Sequence, residues 1–394
     1  MARVLVISAS DLGRDARVDR QIEFLSVEHD VIAAGFGEPR EGVGFIRLDQ
    51  LPRMSPRWIW GRLAMEILRT VGADVRAYWT EPGHAGWRKV LAGVEPDVVV
   101  ANDMSAVPLA FDAAKGAPVV IDLHEYALRE HEEHLLWRLL VAPQLRRLLR
   151  RYLPLAAELV TVNEPIADAY EQRYGRRPAV VTNAARKATC TPSELEPGRI
   201  RLVHHGVAMR GRRIEQMIDL AKQLDERFTL DLYLVGEEAY LSELSARMQD
   251  YPRIRLNAPL PMDTIVTELN RYDVGLYLLA PTNFNNLYAL PNKFFDFVQA
   301  RLAVAIGPSP AMADIASRHG FGLVADSFEP QALLARLQAL DATRVVELKQ
   351  AADRAADELS AERNGEIMRT LVAGALARPS GAEAAPLAPQ PARP

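Results

Sequence analysis

Val274-Gly-Leu-Tyr-Leu-Leu279, then Asn283-Phe-Asn-Asn-Leu-Tyr-Ala-Leu-Pro-Asn-Lys293-Phe-Phe-Asp296, then Ala303-Val-Ala-Ile306 is the stretch that decides the fold. The first and last runs are short, apolar and partly β-branched, the pattern of parallel strands covered on both faces. Between them Pro291 marks the turn into a helix, Asn292 reads as its N-cap, and the helical pattern continues to Ala300. Strand, loop, helix and strand in that order make one βαβ unit.

The same unit recurs in both directions. In the C-terminal half strands are expected at Ile200–His204, Leu230–Val235, Ile254–Asn257 and Gly322–Val324, with helices at Arg213–Leu224, Tyr240–Gln249, Met262–Arg271 and Ala311–His319. In the N-terminal half the strands are Val4–Ile7, Val31–Ala34, Asp97–Ala101, Pro118–Leu123 and Leu159–Val162, with helices at Val18–Leu25 and Val107–Ala114. Arg186–Arg199, with Thr189, Thr191, Pro192, Ser193, Pro197 and Gly198, has the composition of a linker. The expected architecture is α/β: two tandem Rossmann-like domains facing a central cleft, residues 1–186 and 200–376. The last helices can pack back on the first domain, and the Pro/Ala-rich tail 378–394 is expected to be disordered. Open parallel sheets take ligands beyond the carboxyl ends of their strands, so the loops there are where chemistry is sought.

With 394 residues the chain is long enough for two domains. A net charge of −4 argues against nucleic acid as a partner of the whole molecule. The single cysteine, Cys190, excludes an intrachain disulfide and fits a reducing cytoplasm. The start of the chain lacks a signal-peptide core, and no apolar run approaches the ~20 residues of a membrane span.

Two strand-end loops carry candidate chemistry. Lys293 in the first turn of a helix opposes the helix dipole unless an anion sits there, and free N–H groups at such a terminus favour one. Asp296 lies near Lys293 on the same helical side and could accept two ribose hydroxyls; a surface Lys–Asp pair is the plainer reading. The second loop, Gly206-Val-Ala-Met-Arg210-Gly-Arg212-Arg213, puts three arginines and two glycines after a strand. Arginine can grip a diphosphate bidentately and glycine lets the backbone approach; a solvated basic loop is the alternative.

These residues resemble the donor domain of retaining glycosyltransferases of the group 1 type (family 4), which share the GT-B fold. Tyr288–Ile306 resembles the family's acidic-x7-acidic motif in its Pro-Asn-Lys variant. Asp15-Ala-Arg-Val-Asp-Arg-Gln21 resembles its Asp-Pro-Arg-Val-x-Arg-Gln segment, Asp122-Leu-His-Glu125 its Asp-x-His-Glu segment, and Leu159–Ile166 its domain-crossing strand and loop. The resemblance implies that Asp296 binds the ribose of the donor and that Arg212 takes the place of a diphosphate-binding lysine. Tyr288 falls where the first acid, a sugar contact, stands in the family. Val207 falls where a companion arginine stands, so Arg210 or Lys293 would supply that charge. Gly206 and Asn292 complete the expected donor site.

The implied co-substrate is a UDP- or GDP-sugar, with no other cofactor. No metal is expected, since neither Asp-x-Asp nor a His/Cys cluster occurs. The implied reaction moves a hexose-type sugar to a saccharide or lipid-linked acceptor with retention, in polysaccharide or glycoconjugate biosynthesis. Arg212 and Lys293 would stabilise the leaving phosphate. His124, at a strand end, would orient hydroxyls or act as a base, or else serve a structural bond beside Glu125. Asn102 and Asp103 are candidates on the acceptor side. His204-His205 has no third ligand nearby and reads as structural.

Arg53–Arg69, with Trp58 and Trp60, and Trp137–Tyr152, with five arginines, mix basic and apolar residues. Each is either a peripheral contact with the inner face of a membrane or an ordinary helix with its leucines in the core. Two other function classes stand beside transfer. A sugar-nucleotide 2-epimerase would need cleft carboxylates that do not form its pattern here. A catalytically degenerate GT-B protein, binding a nucleotide sugar or a partner without turnover, would fit the departures at Tyr288 and Val207.

Overall fold

The computed structural model describes residues 1–38, 41–50 and 55–378. The start of the Arg53–Arg69 segment and the tail from residue 379 lie outside the described residues. The chain divides into two compact units: Met1–Thr182 with Asn283–Asn285 and Asn364–Pro394, and Asn183–Thr282 with Asn286–Arg363.

The first unit is built on a seven-stranded sheet. Its strands are β1 (Arg3–Asp11), β2 (Asp30–Phe36), β3 (Gly44–Arg47), β4 (Val98–Asn102), β5 (Val119–Leu123), β6 (Glu158–Thr161) and β7 (Ala179–Val180), in the order β3-β2-β1-β4-β5-β6-β7. Every pairing is parallel. Leu5, Ile7, Val99 and Ile121 belong to one core, and Val4, Val6, Val100 and Val120 to the other. Burial on both faces is why these runs read as continuous apolar segments rather than alternating ones. The second core is closed by Met368, Val372 and Ala375 of the last helix, Ala361–Leu376.

The second unit repeats the design with six parallel strands: β8 (Ile200–Ala208), β9 (Phe228–Gly236), β10 (Ile254–Asn257), β11 (Val274–Tyr277), β12 (Ala303–Ile306) and β13 (Gly322–Val324). Their order is β10-β9-β8-β11-β12-β13. In both sheets the order reverses beside the first strand, and such switch points open a crevice at the carboxyl ends.

The helix Asn292–Gln299 lies against this second sheet. Phe294, Phe295, Phe297 and Val298 are fully buried. Each aromatic contributes on the order of 1.5–3 kcal/mol by leaving water. Gly275 of β11 lets the helix come close: a Cβ there would stand 2.2 Å from the Phe297 ring.

Several elements differ from expectation. Strand β8 does not stop at His204 but continues through His205 and Gly206 to Ala208, paired with β9 along its whole length. Residues Pro56–Thr70 form a fifteen-residue helix capped by the Ser55 side chain. Asn292 is not the cap of its helix; Pro291 is, without a side-chain hydrogen bond, and Asn292 is the first helical residue and exposed. The residues from Asn183 to Arg199 are irregular but not loose. Ala188 N–H donates to Gln299 at 3.1 Å, Arg301 donates to the Ala188 carbonyl at 2.9 Å, and Ser193 donates to Asn270 at 2.6 Å.

Candidate functional site

In the second unit the end of β8 and the start of the helix Asn292–Gln299 bring four of the expected residues together. Lys293 is the centre. Its side chain is buried, not paired at the surface. Nζ lies 3.4 Å from His204 Nε2 and 4.7 Å from the centre of the Tyr277 ring. It passes so close to Gly206 that a Cβ on that residue would stand 3.0 Å from Nζ. Gly206 also has a φ of +125°, a conformation that side-chain-bearing residues rarely adopt. The glycine therefore serves both the unusual backbone conformation within β8 and the close passage of the lysine.

His204 fixes this arrangement. Its Nδ1 lies 2.8 Å from the Leu276 carbonyl, which can only accept, so the ring proton sits on Nδ1 and Nε2 presents a lone pair to the lysine. Burial, the Lys293 charge and other nearby cations hold His204 well below the ordinary histidine range, so the ring is neutral. His205, on the same strand, is pushed down to about 3 by burial and then by Lys293. Its Nε2 lies 3.4 Å from an Asp296 carboxylate oxygen, but a neutral ring makes no ion pair there.

The surplus charge in this pocket is positive. Burial, and then the neighbouring Arg212 guanidinium, pull Lys293 down to about 7, and Asp296 offsets only part of this. Arg212 ends a single 3-10 turn, Arg210–Arg212, and donates to the Val207 carbonyl at 3.2 Å. Val207 is itself exposed.

The arginines of this loop do not all converge. Arg210 turns outward, donates twice to the Glu243 carboxylate at 2.8 and 2.6 Å, and lies over the Tyr240 ring. Its charge is taken up by Glu243, while the Arg212 charge bears on Lys293. Tyr288 is half-buried in the loop before the helix, and Asp296 lies one turn beyond Lys293 with its carboxylate mostly covered. Among the described residues no group of three or more His, Cys, Asp and Glu could hold a metal ion.

The first unit has its own cluster at the ends of β4 and β5. His124 Nε2 lies 3.1 Å from Asn102 Oδ1, and its Nδ1 lies 3.2 Å from Asp103. Behind it Arg17 grips Asp122 with two hydrogen bonds of 2.9 and 2.7 Å, both side chains being buried. Gln21 donates to Asp122 at 3.1 Å and accepts from Asn102 at 2.9 Å. One chain of contacts thus runs from Arg17 to His124. Burial pushes the Asp122 carboxyl up, but Arg17, His124 and Gln21 more than offset this and hold it below the usual carboxylate range. Asp103, half-exposed beside the imidazole, adopts a left-handed φ of 63° at the start of its helix.

Arg17 and Gln21 were not singled out from the sequence as site residues. Their segment and the Asp122–Glu125 segment were each visible, but 105 residues separate Arg17 from Asp122, and nothing in either says that they meet. By sequence Asn285 falls in the donor loop. It belongs with the first unit, where its side chain donates to Glu125 at 3.0 Å and accepts from the Tyr126 N–H at 3.0 Å.

No protein-family profile matches the sequence, and no curated protein matches it. Solved structures do. HepE of Anabaena, in complex with UDP-glucose, superposes with a TM-score of 0.68 at 14% identity, over 95% of this chain and 100% of that one. Sucrose-phosphate synthase from Thermosynechococcus elongatus gives 0.66 at 14% identity, over 95% and 98%. WaaG, a glycosyltransferase involved in lipopolysaccharide biosynthesis, gives 0.63 at 12% identity, over 93% and 99%. The two parallel sheets, the strand orders and these superpositions together give the chain the two-Rossmann GT-B fold of known glycosyltransferases.

Proposed function

We propose that this protein is a glycosyltransferase that moves a sugar from a nucleotide diphosphate sugar to a saccharide or lipid-linked acceptor, with retention of configuration. The observation that carries the reading is buried Lys293 with Arg212 close by at the carboxyl end of β8, at the start of the helix Asn292–Gln299, whose N-cap Pro291 makes no side-chain hydrogen bond. Two cations at a helix N-terminus suit a diphosphate. Asp296, one turn on, suits the ribose. HepE, with the same fold, is a UDP-glucose complex, which supports a UDP-sugar as the first donor to try.

In this reading the sugar–phosphate bond breaks with negative charge growing on the leaving phosphate. Lys293 and Arg212 stabilise that charge in place, without reorganisation at the moment of reaction. Retention follows when the acceptor hydroxyl attacks from the face the phosphate leaves, its proton passing to the phosphate. His124, oriented by Asn102 and Asp103, is placed to bind or deprotonate a hydroxyl. Tyr288 stands where the family has an acid, so the sugar contact relies on the phenol or on other groups.

The test is donor hydrolysis and transfer across UDP-, GDP- and ADP-sugars, with Asp296→Ala and Arg212→Ala alongside. Turnover of at least one donor that falls in both variants is the expected result. Turnover indifferent to both would refute the site. Donor binding without turnover under every acceptor would favour the degenerate reading that Tyr288 and Val207 keep open.

A further inference from the structure

Seven large apolar side chains of the first unit face water on two touching elements. The helix Pro56–Thr70 exposes Ile59, Trp60, Leu63 and Ile67 along one side, at i, i+4 and i+8 spacing. The helical turn Trp137–Val141 packs against it, and with the residues before it exposes Leu135, Leu136 and Leu139. Trp60, Leu63, Ile67 and these three leucines are each between 51% and 71% exposed. The Arg69 side chain donates to Gln144 at 2.5 Å and ties the helix to the next one, Ala142–Tyr152. Scattered apolar side chains on a surface need no account, but a contiguous group does.

The charge around this group is lopsided. Residues 55–81 and 135–152 contain nine arginines and three acids, Glu66, Asp74 and Glu81, a surplus of six positive charges in a chain whose total is −4; Arg62, Arg69 and Arg147 pair with those acids. Beside the apolar rows lies an open groove of about 400 Å³ lined by Arg76, Arg147 and Arg151 with Val75 and Leu148, and by Asp74, which pairs with Arg147. The acids that come before Leu135 are engaged: Arg129 pairs with Glu132, and His131 and His134 lie against Glu130 and Glu133. Within Trp137–Tyr152 the helix Ala142–Tyr152 has Leu148 and Leu149 in the core, as the plainer of its two expected readings has it. The exposed apolar face is supplied by its neighbours.

We propose that this face, Trp60, Leu63 and Ile67 with Leu135, Leu136 and Leu139 under an arginine rim, docks on an anionic phospholipid surface. The apolar rows enter the interface between headgroups and acyl chains, while the arginines stay at headgroup depth and meet phosphates. No helix among the described residues is long and apolar enough to cross a membrane, so this contact is peripheral. Each arginine near an anionic surface contributes about 1 kcal/mol, so several suffice for reversible binding. A second copy of this chain is disfavoured as the occupant, since two copies of a surface carrying the same charge surplus repel one another.

The experiment is flotation of the full-length protein with phosphatidylcholine vesicles, with and without phosphatidylglycerol. Binding to the anionic vesicles is expected to exceed binding to the neutral ones by roughly tenfold or more and to fall as salt is raised. Trp60→Ser with Leu136→Ser and Leu139→Ser, all at exposed positions, and separately Arg76→Gln with Arg151→Gln, should each lower it by roughly tenfold. Val346→Ser, an exposed apolar site in the second unit, should not change it. Circular dichroism checks that each variant is folded. Absence of binding, equal binding to both vesicle types, or folded variants that bind like the parent would overturn the proposal. So would a concentration-dependent dimer that the same serine substitutions dissolve, which would make a second copy the occupant.

Discussion

The two Rossmann-like units use their strand ends in opposite electrostatic ways. In the first, the buried guanidinium has its partner: Arg17 holds Asp122, and Gln21 and Asn102 hand the contact on to His124. In the second, Lys293 and Arg212 stand close together with Asp296 as the facing acid, and the two nearest histidines are neutral. At the helix termini nearest each site neither unit uses a side-chain cap: the helices beginning at Asp103, Ile214 and Asn292 all lack one. A self-satisfied site is rigid scaffolding around one imidazole. A site with surplus positive charge is strained until an anion neutralises it.

Breaking each side of this contrast should therefore have opposite effects on stability. Asp122→Ala strands a buried guanidinium, and denaturant unfolding should show a loss of about 3–5 kcal/mol. Lys293→Met removes a poorly compensated buried cation while keeping most of its volume. Its stability by the same measurement should equal or exceed that of the parent, while donor turnover falls by about 10²–10³-fold. If Lys293→Met were as destabilising as Asp122→Ala, the second site would be a charge-balanced one and the contrast would be wrong.

The pH dependence sharpens the point. The Lys293 amine drops from its ordinary 10.5 to about 7 in the folded chain. A lysine whose folded value lies below its unfolded one costs stability where it must be charged. That cost is fully present below about pH 7 and is relieved as pH rises from there toward the ordinary lysine range. The stability advantage of Lys293→Met should accordingly be greatest below pH 7 and shrink above it. Anion binding needs the charged amine, so the Kd for UDP, followed by calorimetry, should weaken roughly tenfold between about pH 6.5 and about pH 8.5. A flat profile would mean that the lysine is not a diphosphate ligand. At the small end, Asn163→Ala removes the bond to the Ile166 N–H at 2.9 Å and should cost about 1 kcal/mol, visible as a lower thermal midpoint with donor use unchanged.

Much of the fold was legible because parallel strands buried on both faces announce themselves as short apolar runs. Ile254–Asn257, Ala303–Ile306 and Gly322–Val324 have the bounds expected of them. The strands that escaped notice are edge strands, β3 with Gly44 and Arg47, and the two-residue β7, whose residues need satisfy only one neighbour. The extension of β8 is hidden because Gly206 and the arginines after it read as a loop, and only the ladder to β9 reveals that His205 to Ala208 are in the sheet. Within the candidate site, the sequence named two loops that the fold brings together, but not who faces whom. A lysine in Pro-Asn-Lys-Phe-Phe has the look of a surface residue, and its burial depends on a glycine 87 positions earlier. That Arg210 is held by Glu243 is a property of the neighbouring helix, outside the loop itself.

Gly275 has a consequence for how this protein can change. The helix that carries Lys293 and Asp296 rests on β11 where a missing methyl group makes room for the Phe297 ring. Any larger residue at 275 would lift the helix unless 297 shrank in the same step, so in a mutational library the two positions should behave as a single locus with strong epistasis. Variation in donor preference can then accumulate in the loops on either side, while the platform beneath them stays fixed.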